Sequence, residues 1–328
     1  MTRTVAMTGA TGFIGWHVAR QFQQSGWHVR GLVRPDSDRP LPAGVERLAA
    51  ALDEGAVRSA SEGADVIVHM AALIRARSAA EFTRVNVDGT RAVARAARAL
   101  GIRLVHTSSL GVTGPADPGH PPGEDAAPRP INLYGESKRE SERVVRETEG
   151  LDWTIVRPTL VYGPRDRLFL PIFRMARHGF FPVPQPSAVY NVVHVEDAAR
   201  AFERAATAPD ASGEVFFVGH PEHTRALDML QLAASSVGRA FHPFVVPRTA
   251  LRLAAEVGTV LSRLGLPVAL DRARFAELDA AGFVCRVDKA RARLGFEAAI
   301  GLREGFQMTA DWYRDAGWLG PFNRPRPE

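Results

Sequence analysis

Lysine is almost missing from this chain. Of its 41 basic residues only Lys138 and Lys289 are lysine, and arginine supplies the rest. A lysine that stays in such a chain reads as a position where a planar guanidinium does not fit. Cysteine is scarcer still, with Cys285 alone. One thiol excludes an internal disulfide and a thiolate metal site. Long apolar runs are missing too. The longest uncharged stretch, 178–195, is interrupted by Pro182, Pro184 and Pro186, so it reads as no spanning helix and no integral membrane segment is expected. No charged segment and apolar core precede the first strand, so no secretory leader is read and the cytoplasm is the expected location. Blocks of one charge are also lacking. The net charge is +5, yet the arginines sit among acids, as in Arg139, Glu140, Glu142 and Arg143. That pattern reads as solvated helix faces, and no nucleic-acid partner is expected.

What is present is an ordinary globular composition, 45% hydrophobic and 23% charged over 328 residues, enough for a large core. Strand and helix signals alternate through the first half. "TVAMT" (4–8), "HVRGLV" (28–33), "DVIVHM" (65–70), "IRLVHTS" (102–108) and "WTIVRP" (153–158) read as strands. Helical patterns lie at 12–25, about 85–100 with Gly101 as its stop, and 132–149. The alternation predicts an α/β fold, a Rossmann-type doubly wound parallel sheet. After about residue 160 the texture changes to proline-rich turns and helices at 225–238, 248–264 and 270–280. We expect a core of residues 1–160 and a smaller substrate-binding domain over 161–328, with segments at about 189–220 returning to the core.

"MTGATGFIG" sets Gly9, Gly12 and Gly15 between the first strand and the first helix. Glycine there permits positive φ and lets backbone N–H groups approach a pyrophosphate at a helix N-terminus. Strand before and helix after make this a dinucleotide-binding turn, with Thr11, Phe13 and Ile14 completing it. Arg34 follows the second strand, at the end that faces the adenosine ribose. An acid there suits a free 2′-hydroxyl and an arginine a 2′-phosphate, so NADP is expected ahead of NAD.

Tyr134 and Lys138 are four residues apart on a predicted helix and share a face. A free phenol ionises near pH 10, too high for proton transfer at neutrality. An ammonium about 5 Å away, at an effective dielectric of about 20, favours the phenolate by roughly 3 kcal/mol, or about 2 pKa units. Ser109 follows a strand, where ligands bind in such sheets, and its hydroxyl suits a substrate oxygen.

Together these elements resemble the extended short-chain dehydrogenase/reductase family, the NAD-dependent epimerases and dehydratases. "TGATGFIG", "HMAA" (69–72), "NVDGT" (86–90), "TSS" (107–109), "YGESK" (134–138), "VRPTLVYGP" (156–164) and "VHVEDAA" (193–199) stand in the family's order over nearly the whole chain. "LVRPDSDR" and "MLQLAASSVGR" resemble the dihydroflavonol-reductase-like and hopanoid-associated sugar epimerase type. The resemblance implies that Tyr134 moves the proton, that Lys138 lowers its pKa and binds nicotinamide ribose, and that Ser109 orients the substrate oxygen. It further implies that Asn86 supports the active-site backbone, that Ala71, Ala72 and Thr107 line the cofactor, and that Arg157 and Pro158 shape the nicotinamide pocket. A homodimer through the Tyr134 helix is also implied.

The departures bear on the reaction. Sugar dehydratases of the family carry an acidic pair where this chain has Leu110 and Gly111. Sugar-nucleotide epimerases usually carry an arginine where this chain has Tyr190. The aspartate often found at the third strand's end is Ala50 here, and Asp53 reads instead as a helix N-cap. We therefore expect an oxidoreductase moving hydride between nicotinamide and a secondary alcohol or ketone of a small, apolar substrate. A sugar epimerase with tightly held cofactor and a non-catalytic dinucleotide module are the alternatives. His220 and His223 read as a loop pair and no metal site is expected. The amphipathic stretch 248–264 reads as core packing or a pocket lid, or else as a surface for a membrane or apolar substrate.

Overall fold

A parallel seven-stranded sheet organises the chain, with strand order β10-β6-β5-β4-β1-β2-β3. The computed structural model describes residues 2–320 apart from Arg77, Gly265, Pro267 and Ala269. The first half runs β1 (Thr4–Thr8), α1 (Phe13–Gln24), β2 (His28–Val33), β3 (Glu46–Ala49), α2 (Glu54–Ala60), β4 (Val66–His69), α3 (Ala79–Phe82), a π-helical turn (Thr83–Asp88), α4 (Gly89–Leu100), β5 (Arg103–Thr107), α5 (Leu133–Glu147) and β6 (Trp153–Pro158). The second half runs β7 (Leu160–Tyr162), α6 (Leu170–Ala176), β8 (Phe180–Val183), β9 (Val189–His194), α7 (Val195–Thr207), β10 (Glu214–Val218), β11 (His223–Arg225), α8 (Ala226–Ser236), β12 (His242–Val245), α9 (Arg248–Arg263), α10 (Arg272–Asp279), β13 (Gly282–Phe283), α11 (Asp288–Leu294) and α12 (Leu302–Asp315).

Central strands of a sheet covered on both faces are mostly apolar, and in β1, β4 and β6 the polar residues lie at or next to the strand ends. Val5, Ala6, Met7, Ile67, Val68, Ile155 and Val156 are all fully buried. One face of the sheet packs on α1 and α7 through Val18, Phe22, Ala198 and Phe202. The other packs on α2, α4 and α5 through Val57, Val93, Ala97 and Val145. Strand order reverses between β1 and β4, so their C-terminal ends open the crevice in which such sheets bind ligands.

Residues after β6 divide between two places. Helix α7 covers the sheet beside α1, and β10 extends it by pairing with β6. A separate apolar cluster of Phe169, Phe173, Phe181, Phe306 and Tyr313 holds α6, α8 and α12 together. Small sheets, β11-β9-β13 with β7 on β9, and β12-β8, join these parts.

Helix boundaries follow local chemistry. Asp53 caps α2 through Ala56 N at 2.9 Å, as its sequence position suggests. Gly101 ends α4 in the left-handed conformation at φ +66°. The predicted helix at 85–100 starts later as a regular helix, because Thr83–Asp88 winds as a π turn. That wider turn contains Asn86, and such turns recur at functional sites.

Candidate active site

The C-terminal edges of neighbouring strands bring the predicted residues together. Gly9 to Gly15 follow β1, Ala71 and Ala72 follow β4, Thr107 ends β5 with Ser109 beyond it, Pro158 ends β6, and Arg34 follows β2.

The glycine turn is tight. Gly9 has φ +75°, and a Cβ there would stand 2.6 Å from Ala71 N. Gly12 N donates to Gly9 O at 2.9 Å. A Cβ on Gly15 would meet Gly9 O at 2.2 Å, so the start of α1 lies against the turn. Gly12 caps α1 without a side-chain bond, and no acid stands in the first turn. The first N–H groups of the helix are left for an anion, with the helix dipole behind them. Thr11, Phe13 and Ile14 are partly exposed along this turn.

Thr8 ties that turn to β4. Its hydroxyl oxygen accepts from Met70 N and Ala71 N at 3.2 Å each, and lies 2.6 Å from His69 Nδ1. His69 Nε2 meets Thr90 Oγ1 at 3.1 Å, and Thr90 donates to Asn86 O at 2.6 Å. Asn86 carries the chain onward. Its amide nitrogen donates to Leu73 O and Ser137 Oγ, both at 2.9 Å, and its amide oxygen accepts from Leu73 N at 2.7 Å. Ser137 donates to Tyr134 O at 2.7 Å. Asn86 thus pins the segment after β4 to the helix bearing Tyr134.

Asn132 caps α5 by accepting from Gly135 N at 2.7 Å, which sets the start of the helix at Leu133, one residue before Tyr134. A hydrogen bond joins the side chains of Tyr134 and Ser109. The Ser109 oxygen also accepts from Gly111 N at 3.0 Å. Lys138 is buried, 3% exposed, and its ammonium donates to Thr107 O at 2.6 Å. Burial lowers the Lys138 pKa to about 8, with the Glu142 carboxylate one turn on opposing that shift.

The phenol departs from expectation. Burial pushes the Tyr134 pKa up, and the bond from Ser109 pulls it back only in part. The ammonium was expected to dominate and lower it. Instead, desolvation outweighs the other effects, and the ammonium is engaged by a backbone carbonyl. Arg157 departs too. It does not line a pocket but lies buried, 1% exposed, donating from Nε and Nη2 to Glu142 at 2.7 and 2.8 Å. Ser108 donates to the same carboxylate at 2.6 Å.

That pairing escaped the sequence reading, although Glu142 lies four residues after Lys138 and so shares its helical face. Arg34 is exposed, with Nε 3.7 Å from Asp36 and its side chain 72% accessible. His223 Nε2 lies 3.5 Å from Cys285 O, and among the described residues no group of three His, Cys, Asp or Glu side chains is placed to hold a metal. No helix among them is long and apolar enough to cross a membrane.

The residues fit a nicotinamide dinucleotide. The uncapped α1 start and its glycines suit the pyrophosphate, and Thr107 Oγ1 is buried at the strand edge with no partner among the described residues. A turn suited to a dinucleotide, with Ser109, Tyr134 and Lys138 beside it, is the arrangement of dinucleotide-dependent enzymes of the short-chain dehydrogenase/reductase class. The chain belongs to the NAD dependent epimerase/dehydratase family, whose model matches residues 5–219. It is 34% identical over 321 residues to a ceramide reductase of Caulobacter vibrioides, covering 96% of each chain. It is 29% identical to 4-hydroxy-2-methyl-3-oxo-4-farnesyl-3,4-dihydroquinoline-1-oxide ketoreductase of Stigmatella aurantiaca, again covering 96% of each. The solved structure of MoeE5 with UDP-glucuronic acid and NAD matches with a TM-score of 0.77 at 25% identity, covering 95% of this chain and 99% of that one. The protein is thus an NAD(P)-dependent oxidoreductase/epimerase-type enzyme.

Proposed function

We propose that this enzyme is a ketoreductase that interconverts a ketone and a secondary alcohol on a long-chain, lipid-like substrate. The observation that carries the substrate class is an apolar groove of about 630 Å³, lined by Leu253, Val257 and Leu261 of α9 and by Val268 and Leu270. Helix α9 packs on α10, and α10 touches the candidate site: Asn132, the cap of the Tyr134 helix, donates to Glu277 Oε1 at 2.5 Å. Both curated relatives bear reductase names, and ceramide and a farnesylated quinoline are apolar molecules.

The roles follow from the geometry. Bound nicotinamide supplies or accepts the hydride. Ser109 donates to the substrate oxygen and orients it. Tyr134 gives its proton to that oxygen as charge develops there. A phenol whose pKa is raised by burial holds this proton at neutral pH and works as the acid of the reductive direction. Lys138 holds the Thr107 carbonyl and keeps a positive charge under the site. Asn86 and Ser137 fix the Tyr134 backbone.

We favour NADP over NAD on one residue, the exposed Arg34 after β2, a position where an arginine suits a 2′-phosphate. We place the enzyme in the cytoplasm and expect a homodimer through α5. A sugar epimerase is the second reading, supported by the likeness to MoeE5 with its UDP-sugar. Tyr190, where such epimerases usually carry an arginine, weighs against it, as does the apolar groove. The test offers NADPH with long-chain ketones, short water-soluble ketones and UDP-sugars in parallel. Net NADPH oxidation with the long-chain ketone supports the proposal. UDP-sugar interconversion without net cofactor use would replace it with the epimerase.

A further inference from the structure

Helix α9 is apolar on two sides. Its inward side buries Ala255, and a Cβ on Gly258 would fall 1.8 Å from Leu270 O, so this side is closely packed. Its outward side carries Leu253, Val257, Val260 and Leu264, which are 68, 54, 56 and 72% exposed. Steps of four, three and four residues keep these side chains in one stripe along the helix. Strand β12, which leads into α9, adds Phe244 and Val245 at 51 and 62% exposure. Leu253 and Val257 also line the apolar groove, so the stripe and the groove share a wall. A row of large apolar side chains facing water marks a surface that something covers.

We infer that this stripe docks the enzyme on a lipid bilayer bearing anionic headgroups, with the groove opening toward the acyl chains. The inference deepens the lipid-substrate reading and rests on it. Two observations favour a bilayer over a second protein. The six side chains expose the equivalent of roughly three to four whole apolar groups, about 200–450 Å² at the area their transfer energy implies, against about 450–520 Å² of apolar area per partner in a stable protein interface. Arg252 is exposed on the same helix in a chain of net charge +5, and a basic flank matches anionic lipid. The neighbouring acids are already paired, Glu256 with Arg272 and Asp279 with Arg248.

The test floats the full chain with vesicles of phosphatidylcholine, alone or mixed with phosphatidylglycerol. Binding is expected, stronger on the mixed vesicles. The triple variant Phe244→Ser/Val260→Ser/Leu264→Ser changes exposed residues outside the groove. It is expected to lose at least tenfold in vesicle partitioning while NADPH binding and turnover of a short water-soluble ketone stay unchanged. Arg252→Glu is expected to weaken binding to the mixed vesicles alone. Wild-type protein that stays unbound, or a triple variant that floats as well as wild type with its fold intact, overturns the inference. A wild-type dimer that the triple variant dissolves, seen by light scattering, assigns the stripe to a second copy and likewise overturns it. Vesicle binding by an enzyme that reduces no ketone at all would sustain the docking surface and sink the lipid-ketone reading alone.

Discussion

Replacing Glu142 by leucine would strand a guanidinium inside the protein. Arg157 is 1% exposed and gives two hydrogen bonds to Glu142, at 2.7 and 2.8 Å. Its remaining anchor is the Glu124 carbonyl at 3.1 Å. Arg146, the other partner of Glu142, is partly exposed and can turn to water. The variant therefore leaves the Arg157 charge buried and uncompensated, and also takes from buried Lys138 the carboxylate that supports its charge; removing one partner of a buried pair typically costs about 3–5 kcal/mol. The loss of the Ser108 bond adds about 1.5–3 kcal/mol, the range for hydrogen bonds to charged groups. Urea unfolding followed by far-ultraviolet circular dichroism measures the total. The double variant Glu142→Leu/Arg157→Met removes both charges, and should recover most of the loss because the desolvation cost disappears with them. If the single variant costs less than about 1 kcal/mol, or the double is no better than the single, then the pair does not clamp α5 to β6 as described.

Other consequences follow from the same geometry. Lys138 titrates at about 8, so turnover should fall as pH rises through about 8 and the ammonium loses its proton; an alkaline limb near the ordinary lysine value of 10.5 would contradict this. The same depressed pKa means that the unfolded chain binds more protons between about 8 and 10.5, so stability should rise with pH across that window. Arg34→Asp should raise the NADPH KM at least about tenfold, a change of about 1.4 kcal/mol, and leave that for NADH unchanged or lower. Gly9→Ala sets a Cβ 2.6 Å from Ala71 N at φ +75°, and should lower unfolding stability by about 1–3 kcal/mol along with NADPH affinity, read by denaturation and by cofactor titration.

Largely buried strands read as short runs dense in Val, Ile and Leu, which is why β2 and β6 could be read from the sequence with their bounds. Strand β3 could not, since three of its four residues are exposed and its pairing with β2 depends on the whole sheet. The π turn before Gly89 escaped for a related reason. Its residues fit a regular helix by propensity, and the extra residue per turn is held by Asn86 bonding to Leu73, a contact 13 positions away. Motif residues at the site sat where glycine turns and strand ends put them. What the sequence concealed was electrostatic. Lys138 and Tyr134 are four apart, but whether the ammonium or burial governs the phenol depends on packing, and the Thr107 carbonyl takes a hydrogen bond from that ammonium. Likewise, Glu142 and Arg157 meet across 15 positions between a helix and a strand, with no local pattern to announce it.

Tyr134→Phe is the most direct test of the chemistry. The substitution keeps the ring that packs 6.5 Å from Phe82 and removes only the hydroxyl bonded to Ser109. With a long-chain ketone and saturating NADPH, turnover should drop by about 10²–10⁴-fold, the range of general acid catalysis, while NADPH affinity measured by tryptophan fluorescence stays within about twofold. Turnover that survives the loss of the hydroxyl, with the cofactor bound as before, would show that Tyr134 does not move the proton.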